Sequence, residues 1–222
     1  MVSHDSDNYT IWGARKMADV WSMVATERES LADALAGLSP QDWYQDSLLP
    51  GWSVRDVTGH IIATAQMTPL KFILRMAASG FRFQSMSNKR IQATVDGKTT
   101  DQLVERLREL KDATNSPPGP KMTWLGETIV HGEDIFRALG SYRAHPVDHV
   151  IAVADFYKGS EPLIHAKSRV KGLTLRATDA DWVSGSGPEV AGPAIALLMA
   201  MAGRKAALDD VSGDGVAILR ER

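Results

Sequence analysis

The helical spacing of apolar residues constrains this chain more than any other feature of its sequence. Between Ile11 and Leu38, apolar side chains recur every three or four positions, which is the spacing of one face of an α-helix. The same spacing predicts a second helix that opens at Ser53, continues past Pro69 with a kink and ends near Ala77. Stripes of this kind predict helices that pack against one another.

Two further helical regions complete the first part of the chain. One is split between about 84–95 and 100–114, and the sequence "NSPPGP" then breaks the helical pattern. The last runs from about Met122 to Leu139 and is expected to stop at Gly140, a residue type common just after helix ends. Four long helical regions in succession predict a helix bundle.

The sequence changes character after Pro146. One more helix is predicted over about Val147–His165, and "GLTLRATDADWVSGSGPEVAG" then has short β-rich runs divided by Gly, Asp and Ser. We expect "PAIALLMAMAG" to form a short buried helix and "DGVAILRE" a last strand. The chain is therefore predicted to be mainly α, with a four-helix bundle in residues 1–145 and a small α+β domain in residues 146–222.

Charge and hydropathy argue against several classes of function. The formal net charge of −2 gives the chain no electrostatic footprint for nucleic acid or an anionic membrane, so neither is an expected partner. No stretch approaches the roughly 20 apolar residues that a membrane span needs. The beginning of the chain, "MVSHDSDNYTIW", has no basic or apolar region typical of a signal peptide. A cytoplasmic protein is therefore expected.

The chain contains no cysteine. This excludes disulfides, metal sites with thiolate ligands and a cysteine nucleophile. Any thiol chemistry must therefore use a thiol that a partner molecule brings.

The candidate site lies on the fourth predicted helix, in "TWLGETIVHGEDIFRALG". Glu127 and His131 are four residues apart, which separates them by about 40° around a helix and places them on one face. A single metal ion could bind both side chains, and Trp124 and Asp134 flank the same face. His60 lies on the second predicted helix, which could bring it opposite in a bundle.

Each of these residues also has an interpretation without a metal. A Glu and a His four apart on a helix can be a capped or solvent-exposed pair. His60 alone can be a core histidine that is hydrogen-bonded to protein groups. Asp56 suits the first turn of its helix as a carboxylate, and it could also orient His60. The remaining histidines are expected at the surface rather than at a ligand position: His4, His145, His149 and His165.

Two motifs in combination carry a resemblance to a known family. "GWSVRDVTGHI", followed about 67 residues later by "GETIVHGEDIFRALG", resembles the mycothiol-dependent maleylpyruvate isomerase family. That family belongs to the DinB-like metal-binding helix bundles of actinobacteria. The stretch that begins with "LRATDADWVSGSGPEVAG" is similar to the C-terminal domain common in the group, so the resemblance spans nearly the whole chain.

The resemblance implies a metal site and a thiol-dependent reaction. A divalent metal, usually zinc, would be held by His60, Glu127 and His131, which would take part in catalysis through the metal. Mycothiol would serve as thiol cosubstrate in the isomerisation of a small electrophile or in transfer of the thiol to it. Arg137 is a candidate substrate contact that could clamp a carboxylate, or it could be a cation suited to a helix C-terminus. Phe136 stands where family members often carry an arginine.

A second function, from a different class, stays open. The chain could be a non-catalytic module that contains a metal and binds a small molecule or a lipid, with "GPAIALLMAMAG" lining an apolar cavity. Either function is compatible with a monomer or a homodimer. Consumption of thiol in the presence of an electrophile would distinguish an enzyme from such a module.

Overall fold

The computed structural model describes residues 6–161 and 164–222, with side chains from residue 20 onward. The chain divides into two compact units, Met1–Tyr142 and Arg143–Arg222. The assignment of residues 1–145 and 146–222 as separate domains stays a prediction, because compactness alone does not establish that either part folds independently.

The first unit is built from helices. Their bounds are α1 Ser6–Ala36, α2 Val54–Ala65, α3 Pro69–Ala78, α4 Phe83–Val95, α5 Thr100–Glu109 and α6 Met122–Phe136, with a short 3-10 helix at Asp42–Tyr44. Helix α2 packs against α4, α5 and α6, and α1 packs against α5 and α6. Their apolar faces form one core that includes Leu35, Ile62, Leu107 and Ile135. The predicted helix bundle is confirmed.

Helix α2 begins where the sequence predicts it. The Ser53 side chain accepts a hydrogen bond from the Asp56 backbone N–H, and the Asp56 carboxylate accepts one from the Ser53 N–H at 3.0 Å. These reciprocal bonds satisfy two donors at the helix start. The helix ends at Ala65, so the prediction of one kinked helix past Pro69 is wrong. Thr68 is extended, as residues before proline prefer, and its side chain caps a new helix, α3.

A glycine allows α2 to approach α4 closely. A Cβ atom added to Gly59 would lie 2.5 Å from Cγ1 of Val95 on α4, well inside van der Waals contact. His60 follows this glycine directly, so the close approach also fixes how near His60 lies to α4.

The second unit combines a small sheet with helices. Its elements are α7 Val147–Tyr157, α8 Ala166–Arg169, β1 Thr174–Ala177, β2 Val183–Gly185, β3 Glu189–Gly192, α9 Ala194–Met201 and α10 Gly215–Arg220, with a 3-10 helix at Lys205–Asp210. The strand order is β2-β1-β3, with β1 antiparallel to β2 and parallel to β3. Leu175 pairs with Val190, and both are buried beneath α9, which also packs against α7.

Two predictions for this unit need correction. Helix α7 ends at Tyr157, well before His165. The segment predicted as a last strand is the helix α10, whose buried residues are Gly215 and Leu219. Gly215 and Leu219 are four residues apart, a separation that places them on one face of a helix. The short apolar run "VAIL" is equally compatible with a strand, so the sequence does not distinguish the two structures. The predicted mainly α fold with a small α+β part is confirmed.

In the part of the chain that the structure describes, no helix combines the length and the apolar character that crossing a membrane requires.

Candidate functional site

The packing of α2 against α6 brings His60 and Glu127 together. The Nε2 atom of His60 lies 3.6 Å from Oε1 of Glu127, and each side chain retains 15% of its accessible surface. Two residues that are distant in sequence therefore meet at a partly accessible place within the first unit.

His131 joins this pair from the next turn of α6. Its ring meets the His60 ring edge-on, with the ring centroids 5.0 Å apart. Its Nδ1 atom lies 3.0 Å from Oδ2 of Asp134, whose side chain is completely buried. When Nδ1 donates to this carboxylate, Nε2 of His131 is left with a free lone pair. The structure thus brings together the three predicted site residues, His60, Glu127 and His131.

His60 is held between two further side chains. Its Nδ1 atom lies 3.5 Å from Oγ of Ser87 on α4, and the Trp52 ring lies 5.0 Å away at a tilt. Burial, together with the charges of the neighbouring His131 and Arg90, lowers the pKa of His60 to about 3. The imidazole is therefore neutral at physiological pH, the form that binds metals. Asp56, which could have oriented His60, is used as a helix cap instead.

Glu127 is a carboxylate in a poorly solvated place with cationic and polar neighbours. Burial raises its pKa, while His131, a hydrogen bond from Thr64 and the charge of Arg28 act in the opposite direction. Thr64 lies one helical turn beyond His60 on α2, so α2 contributes two contacts to this carboxylate.

Arg28 is a site neighbour that the sequence analysis missed. It is 3% exposed on α1, and Nη1 donates hydrogen bonds to the backbone oxygens of Leu110 at 3.0 Å and Ala113 at 2.8 Å. Burial lowers its pKa to about 10, against the attraction of Glu127. The sequence did contain a signal for this residue. Arg28 lies four residues after Val24 on the apolar stripe of its helix, and an arginine on such a stripe must have buried partners.

The contacts that the structure gives for Arg137 are to residues other than His60, Glu127 and His131. Its Nε donates to the Glu133 carboxylate at 2.8 Å, and both side chains are buried. Its guanidinium also stacks over the Tyr142 ring at 5.4 Å. Phe136 is buried in the core. A role for Arg137 in binding substrate stays a prediction.

The remaining histidines divide between the surface and the interior. His165 is exposed beside Glu161, at 3.5 Å, and His145 is half-buried. His149 is buried on the inner face of α7, so its predicted surface position is wrong. His4 lies outside the described residues.

The site offers side chains of the types that bind a metal ion. In the described residues, no group of three His, Cys, Asp or Glu side chains is already positioned to hold one. The donor set nevertheless fits, because two imidazoles and a carboxylate are typical zinc ligands. Two donors on a tetrahedral zinc ion lie about 3.4 Å apart, close to the 3.6 Å between Nε2 of His60 and Oε1 of Glu127. The carboxylate behind His131 is also typical of metal-binding histidines.

A known family model matches much of the first unit. Residues 24–118 match the sequence model of the mycothiol maleylpyruvate isomerase N-terminal domain. The predicted resemblance to this family is confirmed over that segment, which includes His60 and ends before Glu127. No curated protein matches the chain.

Two solved structures are similar to the chain at low identity. They are crystal structures of the mycothiol-dependent maleylpyruvate isomerase and of a histidine-to-alanine mutant of it. Each is 14% identical, with a TM-score of 0.49 over 89% of this chain and 92% of that chain. A similarity this distant says nothing about the reaction of this chain.

Proposed function

We propose, from the family match over residues 24–118, that this chain is a metal-dependent enzyme with mycothiol as its thiol cosubstrate. It would act on a small electrophile as an isomerase or an S-transferase. The observation that carries the proposal is the convergence of His60, Glu127 and His131 from two helices, with Asp134 behind His131.

In this proposal, His60, Glu127 and His131 hold the divalent metal, for which zinc is the first candidate. A bound zinc ion acts as a Lewis acid and lowers the pKa of a thiol that binds it. Three protein ligands leave a position open for such a group.

The neighbouring side chains prepare this site. With Nδ1 donating to Asp134, His131 would be fixed in one tautomer, with Nε2 available to the metal. Ser87 and Trp52 both contact the His60 ring. Glu127 is the one anion among the three proposed ligands, so the loaded site would keep a net positive charge that favours a thiolate.

The thiol must come from outside the chain, because the sequence contains no cysteine. Addition of that thiol to a conjugated double bond, followed by rotation and elimination, amounts to cis–trans isomerisation. Addition without elimination amounts to thiol transfer. The same protein residues would serve either reaction.

The experiment measures metal content and thiol binding together. We expect about one divalent ion per chain by elemental analysis, and severe loss in His60→Ala and in His131→Ala, since each removes one of three ligands. His165→Ala is the matched control, because His165 is an exposed histidine outside the site. Unchanged metal content in both site variants would show that the ligand assignment is wrong.

Cobalt(II) then replaces zinc so that the thiol can be observed. Adding mycothiol should produce an intense sulfur-to-cobalt absorption band that appears below the free thiol's pKa of about 8.5. A non-catalytic module with a saturated metal would show no band at any pH. Such a result, with cobalt still bound, would reject thiol activation and favour the binding module.

A further inference from the structure

The charges of the chain are segregated, although its net charge is only −2. From residue 57 to residue 95 there is no Asp or Glu. The same stretch contains five basic residues, which are Lys71, Arg75, Arg82, Lys89 and Arg90. It covers α3, α4 and the turn between them. A near-neutral chain can therefore present a strongly basic surface at one place.

Helix α3 also exposes large apolar side chains. None of its residues, all within the described part of the chain, is buried. Leu70, Ile73 and Leu74 are 66%, 59% and 60% exposed, and Phe81 and Phe83 beyond the helix are 76% and 52% exposed. Clustered apolar exposure of this kind marks an interaction surface. We call these five residues, together with Lys71, Arg75 and Arg82, the α3 surface.

The backbone at Phe81 supports a functional interpretation of the α3 surface. Phe81 has φ of 60°, in the left-handed region that bulky residues rarely adopt, and it follows Gly80 at φ 63°. The left-handed conformation costs an L-residue about 1–2 kcal/mol. Because the Phe81 ring is exposed, no burial energy offsets that cost. An uncompensated backbone cost is typical of residues retained for contact with a partner.

The charges select among the occupants of this surface. A second copy of the chain, related by a two-fold axis, would place the same basic residues opposite one another with no acidic residue of the stretch between them. An anionic surface has no such conflict. Leucine, isoleucine and phenylalanine next to Lys and Arg, on one short exposed helix and the turn that follows it, are typical of segments that lie in the headgroup region of an anionic bilayer.

We propose that the α3 surface docks on anionic lipid membranes. The apolar side chains of Leu70, Ile73, Leu74, Phe81 and Phe83 would enter the headgroup boundary, while Lys71, Arg75 and Arg82 contact the anionic lipid groups. The prediction of no membrane partner rested on the net charge of the whole chain, which hides this segregation. The contact is peripheral, since it involves one side of a short helix and its adjoining turn.

The test uses the full-length protein and sedimentation with lipid vesicles. We expect binding to phosphatidylcholine vesicles that contain about one-third phosphatidylglycerol, weak binding to pure phosphatidylcholine, and weakening as salt is raised. The triple variant Lys71→Gln/Arg75→Gln/Arg82→Gln should bind about a hundredfold more weakly, at roughly fivefold for each basic residue.

Two further variants separate charge from apolar contact. Leu70→Gln/Leu74→Gln keeps every charge and should weaken vesicle binding at least about tenfold, because two inserted side chains become polar. The matched control makes the same change in net charge at exposed lysines elsewhere: Lys98→Gln/Lys171→Gln/Lys205→Gln. It should bind vesicles within about twofold of the unchanged protein.

Four results would overturn the proposal. The first is absence of binding to the anionic vesicles at low salt. The second is equal loss of binding in the control and in the Lys71→Gln/Arg75→Gln/Arg82→Gln variant. The third is a self-associated protein that ignores vesicles and that Leu70→Gln/Leu74→Gln converts to monomers in ultracentrifugation, which would make a second copy the occupant. Binding to polyglutamate without binding to vesicles would instead indicate an acidic protein partner, and would reject the lipid.

Discussion

Arg28 connects the candidate site to the helix packing around it. Its guanidinium donates to backbone oxygens just beyond α5, among them those of Leu110 and Ala113, and it is the cation near Glu127. Removing it would leave these acceptors without their donor and the carboxylate without a compensating charge. Losses of this kind are among the larger effects of single substitutions.

We therefore expect Arg28→Met to lower the free energy of unfolding by about 2–4 kcal/mol. Methionine preserves most of the apolar stem, so the change isolates the guanidinium. Urea unfolding followed by circular dichroism measures it. Arg106→Met is the matched control, because Arg106 is an exposed arginine paired with Glu109, and it should change stability by no more than about 0.5 kcal/mol. Equal effects for the two variants would contradict the role of Arg28.

At the residue scale, local spacing carried more information than isolated positions. Glu127 and His131 could be placed on one face because they share a helix. The predicted bundle made a meeting with His60 possible, and the family resemblance then implied that His60 is a ligand. Ser87 could not be found, since a serine on a polar helix gives no sign that it will lie beside an imidazole. The contact depends on how closely α4 approaches α2. The spacing of residues along one helix carries no information about that distance.

At the scale of elements, Gly59 controls the approach of α2 to α4. Replacing it with alanine favours the helix by about 1 kcal/mol, but the new Cβ would lie 2.5 Å from Cγ1 of Val95. Valine in a helix has one strongly preferred rotamer, so it cannot turn away easily. Overlap of this size costs about 1–3 kcal/mol.

Gly59→Ala should therefore destabilise the protein, and the sign should reverse once Val95 is shortened. In a Val95→Ala background, Gly59→Ala should stabilise by up to about 1 kcal/mol, because the helix propensity is then unopposed. Four urea titrations complete this double-mutant cycle. A stabilising effect in both backgrounds would show that the two helices do not meet at Gly59.

Helix starts were more predictable than the identity of short elements. The Ser53 and Asp56 signals gave the start of α2 because capping depends on a few neighbouring residues. The sequence predicts a kink before Pro69, whereas α2 ends at Ala65 and the extended Thr68 caps a new helix. The strand predicted for α10 failed because burial at Gly215 and Leu219 is set by tertiary contacts.

At the scale of the whole molecule, the assignment of residues 1–145 as a domain can be tested with a shortened chain. That segment contains His60, Glu127, His131 and the buried core of the first unit. We expect it to fold as a helical protein by circular dichroism and to bind about one metal ion per chain.

Both failures of the shortened chain would be informative. A helical fragment that binds no metal would place a further ligand in residues 146–222, with His149 the first suspect because it is buried. A fragment that does not fold would reject the domain assignment itself. The mainly α class could be foreseen from periodicity alone, since it depends on long stripes rather than on any one contact.

From the separation of His60 and Glu127 along the chain we expect an order of events during folding. The two residues are 67 positions apart, whereas the contacts between α2 and α4 join much nearer parts of the chain and close at lower entropic cost. A half-folded molecule would have its first imidazole in place while the carboxylate and the second imidazole were still distant. A metal ion bound at these residues would then distinguish newly made molecules whose helices have all docked from those that are still half-folded.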